Sequence, residues 1–340
     1  MKRKEVRIMP CSVLVLTNSQ DGTHSDVVVE KLRRRGAQVF RLDVDRLAAG
    51  EIKASFRAGL AGNKFEFRSG SEAISSEEVK SVWYRRPHFF NFSIGDPVQK
   101  GYAEKEMDSF LGGLWVTLRD AFWVNDPAKL DLARKKVFQL ALARELGFMV
   151  PRTLISNNPA EVRDFLADCE GRVVFKAIHI EFLDFGERKF NIPTTLLAQE
   201  HLGKLDLVSR MPSLFQEFID KAYELRVTIV GERVFSVRID SQDNPQTLVD
   251  WRHPSHITTL RHTVVHLPQD IQERCLKLLR ELGLVFAAID IAVSKTGEFW
   301  FLEINPNAQW YWIEDFTGVL ISDAIVDTLI EALGNRQEGR

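Results

Sequence analysis

The chain has 340 residues, 45% apolar and 27% charged, so it can bury a sizeable core and should form two or three domains. Its net charge of −2 gives no basic field to recruit nucleic acid or membrane. Three widely spaced cysteines argue against a disulfide framework or a zinc site and suit a reducing cytoplasm. No run approaches the ~20 apolar residues of a membrane span. We therefore expect a cytoplasmic protein without a nucleic-acid or membrane partner.

The first third of the chain predicts an α/β domain of the doubly wound kind. Strands are predicted at 12–17, 38–42, 65–67 and 81–84, and helices at 25–35 and 104–118. The loop after the first strand holds no G-x-G-x-x-G motif, so no dinucleotide site is predicted there. The domain should end near Val124.

Two adjacent arginines, Arg85 and Arg86, follow the strand at 81–84. Such a pair can grip an anion or a carboxylate, but surface arginines that pack against a neighbouring domain are the commoner case. We therefore expect both side chains at a domain contact.

A helix is predicted from Asp126-Pro127 to Gly147, because aspartate is a good N-cap and proline fits the first turn. It carries Lys135 and Lys136, which by themselves would be solvated helix lysines. A helix over 159–167 and a short strand that ends in Lys176 follow. A lysine at the end of a buried strand is less easily dismissed, because its ammonium must find an anion or water.

Residues 223–240 read as two alternating strands joined at Gly231-Glu232, a clear hairpin. Glu224 and Arg226 share one face of the first strand, and Arg238 belongs to the polar set of the second strand. The pattern therefore predicts a charged side that carries both arginines on an otherwise apolar sheet. The alternative is that this side is simply the wet face of an antiparallel sheet.

The stretch FWFLEINPNAQWYWIE carries Glu303 and Asn305, which point to one face because they are two apart in a strand. A turn at Lys295-Thr296-Gly297 predicts a hairpin that sets Asp290 beside them. Two carboxylates and an amide oxygen are hard ligands suited to Mg²⁺, with positions left for water and phosphate. The alternative is that Asp290 and Glu303 are solvated charges at a strand edge.

Together these features resemble the ATP-grasp ligases in their order along the chain. That order is a helix lysine, a strand-end lysine, Gln216-Glu217-Phe218-Ile219, a Glu seven residues after Glu217, then Asp290 and Glu303-Ile-Asn305. More narrowly, VWYRRP, QEFIDKAYELRV, VRIDSQ, VDWR and FLEINPNAQWYWIE resemble the maturases of ribosomal peptides of the microviridin (graspetide) type. The resemblance spans nearly the whole chain. The loop after Lys176 departs from it, because it lacks the glycine-rich phosphate cover of many ATP-grasp enzymes.

The resemblance implies an ATP-grasp fold that combines α/β and α+β parts. Its three parts are a Rossmann-like pre-ATP-grasp domain over 1–124, a central lobe over 125–213, and a C-terminal lobe with the Mg²⁺ site over 214–340. ATP is expected between two antiparallel sheets.

The resemblance also implies a reaction, with ATP and Mg²⁺ as cofactors and a precursor peptide with leader and core segments as partner. An Asp or Glu side chain of the peptide attacks the γ-phosphate of ATP. The acyl phosphate is then captured by a Ser or Thr hydroxyl or a Lys amine, which gives a macrocyclic ester or amide. Phosphoryl transfer needs positioning and charge neutralisation more than a protein nucleophile, and the sequence offers no credible Ser/His/Asp or Cys/His set. A homodimer is left open.

The resemblance assigns roles to three groups of residues. Glu303 bridges two Mg²⁺ ions, with Asp290 on one ion and Asn305 on the other. Nucleotide contacts come from Lys136, Lys176, Gln216, Glu217, Phe218, Ile219 and Glu224, the last through the ribose hydroxyls. Arg226 stabilises transition-state charge, while Arg238 and Arg252 orient the substrate carboxylate or acyl phosphate. Lys136 is preferred to Lys135 because it directly precedes VFQL, where the resemblance places the lysine.

Two other functions stay open. The first is an ATP-grasp ligase that joins a free amino acid or small molecule to a carboxylate, and peptide-dependent against amino-acid-dependent ADP release separates the two. The second is a catalytically silent nucleotide-binding protein, for which binding without turnover would be the sign. The sequence does not specify the precursor, the bond type, the number of rings or the surface that holds the leader.

Overall fold

The computed structural model describes residues 7–8, 12–60, 62–87, 90, 92–179, 183–185, 188–190, 192–252 and 257–334. Cys11 and part of the loop after Lys176 lie outside these residues. Within the described ranges, no helix is long and apolar enough to cross a membrane.

The described part of the N-terminal domain contains two sheets and three α-helices. Its strands are β1 (Arg7–Ile8), β2 (Ser12–Thr17), β3 (Gln38–Asp43), β4 (Lys53–Gly59), β5 (Gly62–Ser69), β6 (Glu72–Ser75), β7 (Val79–Tyr84) and β8 (Phe122–Val124). Its helices are α1 (Thr23–Arg34), α2 (Val44–Ala48) and α3 (Pro97–Thr117). A parallel sheet has the order β3-β2-β7-β8, and a second sheet has the order β1-β6-β5-β4. Every residue of β2 is buried, as in a strand covered on both faces, so the predicted doubly wound core is confirmed.

The middle of the chain begins with two helices and continues into a small lobe. These elements are α4 (Pro127–Ala133), α5 (Lys136–Glu145), β9 (Thr153–Ser156), α6 (Pro159–Asp168), β10 (Val173–Lys176), β11 (Leu183–Phe185), β12 (Arg188–Phe190), β13 (Thr195–Leu196), α7 (Gln199–Leu202) and β14 (Ser213–Glu217). An antiparallel sheet has the order β13-β10-β14-β9, and α6 packs on it over a separate apolar core.

The last part of the chain forms the large sheet, with order β17-β16-β15-β18-β19. Its elements are β15 (Lys221–Val230), β16 (Arg233–Ile239), β17 (His262–Val264), α8 (Gln269–Glu281), β18 (Phe286–Ser294), β19 (Phe299–Asn305), α9 (Tyr311–Thr317) and α10 (Ile321–Gly334). Helix α10 lies between this sheet and the N-terminal domain, in contact with β15, β7 and α1. Both predicted hairpins are confirmed, because β15 pairs with β16 and β18 pairs with β19.

Two predicted boundaries are wrong. The helix expected from Asp126 to Gly147 is broken after Ala133, because Gln139 Nε2 donates to the Ala133 carbonyl (2.6 Å) and ends α4 there. The predicted lobe boundary after residue 213 would place β14 in the C-terminal lobe. In the structure β14 pairs with β9 and β10 of the small sheet, so the connection between the two sheets is residues 218–220.

Candidate active site

A row of charged side chains crosses the middle of the large sheet. Arg226 on β15 is opposite Asp290 on β18, which is opposite Glu303 on β19. Residues opposite each other on antiparallel strands present their side chains to the same face. The hairpin that was predicted to bring Asp290 beside Glu303 is therefore confirmed.

Arg226 and Asp290 form a buried ion pair, and each side chain is 7% exposed. Arg226 Nη1 donates to both carboxylate oxygens of Asp290, at 2.8 and 2.9 Å, and Nη2 donates to the Gln309 carbonyl at 3.2 Å. Arg226 Nε is buried without a hydrogen-bond partner in the described part of the chain. Burial raises the pKa of Asp290, against the lowering effect of Arg226. The ion pair therefore leaves one buried N–H donor, that of Arg226 Nε, available.

Glu303 receives three donors from different parts of the chain. Lys136 Nζ lies 3.1 Å from one carboxylate oxygen, while Arg252 Nη1 (2.8 Å) and Asn305 Nδ2 (3.2 Å) donate to the other. Burial alone would raise the pKa of Glu303, but the charges of Lys136, Arg252 and Lys176 hold it well below its usual range. Glu303 is therefore ionised at neutral pH.

The small sheet contributes one buried cation to the same cleft. Lys176 ends β10, and its Nζ donates to Gln216 Oε1 (2.6 Å), while Gln216 Nε2 donates to Thr153 Oγ1 (3.0 Å). Burial lowers the pKa of Lys176 to about 8, and Glu303 only partly offsets this effect. Lys136, Lys176, Gln216 and Glu303 line one cleft between the two sheets.

Next to the connection at 218–220, a second buried ion pair joins Lys221 and Glu224 (2.8 Å). Lys221 Nζ also donates to the Val249 carbonyl (3.0 Å). The charge of Lys221 reaches Lys176 across the cleft and contributes to its lowered pKa. Acidic and basic side chains thus occupy the cleft from the connection to the end of β19.

Comparisons with known proteins agree with this geometry. A family model described as the MvdD pre-ATP grasp domain matches residues 12–131. The crystal structure of macrocyclase MdnC bound with precursor peptide MdnA, from Microcystis aeruginosa MRC, is 31% identical with a TM-score of 0.84, over 94% of this chain and 99% of that one.

The chain belongs to the microviridin-type ATP-grasp ligases.

The chain is also similar to a second solved ligase and to a curated glutamate ligase. A Chryseobacterium gregarium RiPP-associated ATP-grasp ligase, solved in complex with ADP and a leader and core peptide, is 28% identical with a TM-score of 0.87, and covers 95% of this chain and 97% of that one. A probable alpha-L-glutamate ligase of Xanthomonas euvesicatoria is 26% identical over 206 residues, which are 59% of this chain and 66% of that protein. The predicted ATP-grasp fold is thus confirmed, and ATP and Mg²⁺ are the cofactors of this class.

The residues of the ligase fit Mg²⁺ in chemistry. Asp290, Glu303 and Asn305 offer two carboxylates and an amide in contact with one another, because Asn305 Nδ2 donates to both Asp290 (3.1 Å) and Glu303 (3.2 Å). To ligate an ion, Asn305 must present its amide oxygen in place of its nitrogen. Among the described residues, no group of three or more His, Cys, Asp or Glu side chains could hold a metal, so the amide is needed to complete the set.

The basic side chains of the ligase fit the phosphates of ATP. Lys136 and Lys176 approach the cleft from α5 and β10, and both act on Glu303. Lys136 contacts Glu303, whereas Lys135 pairs with Asp131 on the surface (3.1 Å), in line with the preference for Lys136. The role of Lys136 in ATP binding stays a prediction.

The expectation that Arg226 and Arg238 share a face is wrong. In the β15–β16 register, Arg226 is opposite Val237 and Arg238 is opposite Leu225, so the two arginines point to opposite faces. Arg238 lies over the Tyr223 ring (4.1 Å to its centroid) and donates to Asp240 (2.6 Å). Arg252, by contrast, does reach the site and links Glu303 to Asp250.

The residues expected to contact adenine at the connection have partners within the protein. Gln216 faces the cleft, so its neighbour Glu217 points to the other face of β14, where its carboxylate accepts from Arg152 Nε (3.1 Å). The backbone N–H groups of Glu217 and Phe218 donate to the carbonyls of Arg152 and Arg172. Ile219 is half-buried. The Glu217 side chain and these two N–H groups therefore have partners within the protein in this arrangement, and adenine contacts at 216–219 stay a prediction.

Sequence reasoning gave no role to three buried polar residues around the site. Gln139 Nε2 also donates to the Ile304 carbonyl (2.9 Å), and the Asn125 side chain makes four hydrogen bonds, to the backbone of Val285, Phe286 and Pro306. Lys221 is the third. Gln139 lies in an amphipathic helix, Asn125 in a turn and Lys221 at the start of a strand, and a polar residue is ordinary in each of these places, so the sequence carried no signal for them.

Proposed function

We propose that this ligase is an ATP-dependent macrocyclase of a ribosomally made precursor peptide. The observation that carries the proposal is the convergence of Lys136, Arg252 and Asn305 on Glu303, beside the Arg226–Asp290 pair. The similarity to macrocyclase MdnC over nearly the full length of both chains supports it.

The chemistry starts from a carboxylate, which is a poor acylating agent. An Asp or Glu side chain of the peptide attacks the γ-phosphorus of ATP, the bond from the γ-phosphorus to the bridging oxygen breaks, and ADP leaves. A Ser or Thr hydroxyl, or a Lys amine, then attacks the acyl carbon and loses its proton, and phosphate leaves. Each ring therefore consumes one ATP and removes one water from the peptide.

The side chains of the cleft have distinct parts in this reaction. We expect Lys136 and Lys176, which line the cleft, to bind phosphate oxygens, and Glu224, which pairs with Lys221 near the connection, to accept from the ribose hydroxyls. Arg226 presents a rigid guanidinium where charge develops during transfer. Bound Mg²⁺ would neutralise phosphate charge, with Asp290, Glu303 and Asn305 to hold it.

A leader segment would increase the effective concentration of each core carboxylate at the site. We expect it to bind the hairpin and helices of the central and C-terminal lobes, as the resemblance indicates. At low peptide concentration, full-length precursor should be modified faster than a leaderless version. Equal rates for the two peptides would contradict a separate binding site for the leader.

The deciding experiment is to look beside the gene for a short reading frame that encodes repeated Thr or Ser and Asp or Glu, and to use the peptide it encodes as the precursor. Incubation with ATP and Mg²⁺ should lower its mass by one water per ring, and hydroxylamine should divert it to a hydroxamate, which reports the acyl phosphate. If free glutamate is instead added to the peptide, its mass rises, and the protein is an amino-acid ligase like the relative from Xanthomonas. ATP binding without ADP formation would indicate a catalytically silent protein.

A further inference from the structure

The two arginines at the end of β7 reach the loop that follows the metal-ligand strand β19. Arg85 is fully buried, with Nε near Asp21 (3.1 Å) and Nη1 donating to the carbonyls of Asn307 (3.1 Å) and Ala308 (2.7 Å). It therefore ties the N-terminal domain to the large sheet, as expected for an arginine at a domain contact.

Arg86 is different, because its guanidinium forms no direct ion pair among the described residues, and the charge of Asp21 acts on it only from a distance. Its Nε donates to the Asn307 carbonyl (3.2 Å), and within the described ranges no carboxylate forms an ion pair with it. Its backbone has φ of 50°, a left-handed conformation that is strained for arginine, and Asn18 Nδ2 donates to its carbonyl at 2.7 Å. The backbone thus holds the half-buried Arg86 in one direction, while its guanidinium has no ion-pair partner among the described residues.

The position of Arg86 along the sheet limits what it can bind. Strand β15 runs from Glu224, next to the connection, through Arg226 to Thr228, and β19 runs alongside it from Glu303 to Asn305. Arg86 touches residue 307, so it lies beyond the metal ligands, at the end opposite Glu224.

The cations of the cleft accordingly form two groups. At the expected nucleotide end, the charges of Lys136, Lys221 and Arg252 contribute to the lowered pKa of Lys176. Burial, followed by the charges of Arg85, Arg134 and Arg226, lowers the pKa of Arg86 to about 10, and the charge of Asp21 offsets only part of this effect. Arg226 lies between the two groups and contacts Gln309, two residues beyond the contact of Arg86.

We propose that Arg86 binds the side-chain carboxylate of the acidic peptide and presents it to the γ-phosphate, on the side of Asp290 and Glu303 away from the nucleotide. This inference rests on the proposed function and assigns the carboxylate end of that reaction. A planar guanidinium fork matches a carboxylate, and the neighbouring Arg134, which has no ion pair within the residues described, adds positive charge. Arg86 thus takes the orienting role that was expected of Arg238.

A labelling experiment tests the contact without requiring ligation. Phenylglyoxal modification of Arg86 is followed by mass spectrometry in protein saturated with Mg²⁺ and AMPPNP. The probes are an acetylated, amidated peptide with one Glu between threonines and its Gln counterpart, at about 10 mM because the leader is absent. The Glu peptide should slow labelling of Arg86 at least about threefold, while the exposed control Arg119 is labelled equally with both.

Two results would overturn the proposal. Equal labelling with the Glu and Gln peptides would show that no carboxylate binds, and full protection by AMPPNP alone would assign Arg86 to the nucleotide. Neither result depends on product formation, so a failure of the macrocyclase proposal is seen separately, as wild-type protein that leaves the precursor mass unchanged.

Variants give a second measurement on the precursor. Arg86→Asn suits the left-handed backbone and removes the guanidinium, and Arg86→Lys keeps the charge but loses the fork. Both should lower peptide-dependent ADP release about tenfold or more, with unchanged affinity for ADP as evidence of folding, and Arg119→Lys should behave as wild type. Wild-type peptide turnover by Arg86→Asn would refute the assignment.

Discussion

The two sheets that face the cleft carry their charges in different ways. On the large sheet each charged side chain has a partner of opposite sign, as in the pairs Arg226–Asp290 and Lys221–Glu224. On the small sheet the cleft cation is Lys176, and it contacts only the neutral amide of Gln216 among the residues described. The large sheet is therefore balanced before any ligand binds, and the small sheet is not.

This difference indicates how each sheet responds to ATP and Mg²⁺. A buried ion pair that loses one partner leaves an uncompensated charge, so the pairs of the large sheet must exchange partners rather than separate. Under the proposed function, Glu303 would hold Mg²⁺ in place of Lys136 and Arg252, and both cations would then be free to bind phosphate. Lys176 needs no such exchange, because phosphate supplies the anion that it lacks.

The largest effect should follow from removing the centre of the exchanging network. Glu303→Ala should abolish ADP formation, a loss of about 1,000-fold or more, because it removes a metal ligand and leaves Lys136 and Arg252 without their anion. ADP release is measured beside circular dichroism, and Asp290→Ala and Asn305→Ala should behave alike. Glu200→Ala, at a carboxylate 81% exposed, is the matched control. Near-normal turnover of the Glu303 variant would end its assignment as a metal ligand.

The two faces of β15 and β16 provide the next comparison. Arg226→Lys keeps the charge but loses the fork that contacts Asp290 and Gln309. ADP should therefore bind normally, while the barrier to turnover rises by roughly 2–4 kcal/mol. Arg238→Lys changes the same residue type on the opposite face and should stay within about twofold of wild type, because its contacts with Asp240 and the Tyr223 ring lie away from the face that carries Arg226. Equal losses in single-turnover rates of the two variants would contradict the separation of faces.

The sequence predicted the elements of the site better than their side-chain contacts. The hairpins and the pairing of Asp290 with Glu303 followed from alternation and turn residues, which act locally. The face of Arg238 failed because alternation defines faces within one strand, whereas the register across Gly231 decides which faces coincide.

Other contacts were out of reach because they join distant parts of the chain. Arg86 reaches Asn307 across 221 residues, and Gln139 reaches Ile304 across 165 residues. No local pattern encodes either contact. The resemblance supplied the Lys136 preference, which spacing alone could not, since the break before α5 decides which lysine faces the cleft.

The paired lysines of α5 test whether exchange at Glu303 matters for nucleotide binding. Lys136→Ala should raise the KM for ATP about tenfold, because a charge-assisted contact to phosphate is lost. Lys135→Ala removes an exposed helix pair with Asp131 and should leave the KM unchanged. ADP release at varied ATP concentration measures both. A larger increase for Lys135→Ala would reverse the choice between them.

The smallest effect concerns the unbalanced cation of the small sheet, and it depends on pH. Burial lowers the pKa of Lys176 to about 8, so in the free protein its charge is present below that pH and is lost as the pH rises through it. ATP binds the charged form, so its affinity should be constant up to about pH 8 and then fall, by at most about tenfold per pH unit. Isothermal titration with ADP and AMPPNP between pH 6.5 and 9.5 measures this fall in affinity, in a range below the ordinary pKa of lysine. Lys176→Arg remains charged throughout and should flatten the profile. A wild-type profile that stays level to pH 9.5 would show that Lys176 is already balanced, and the contrast between the two sheets would then be lost.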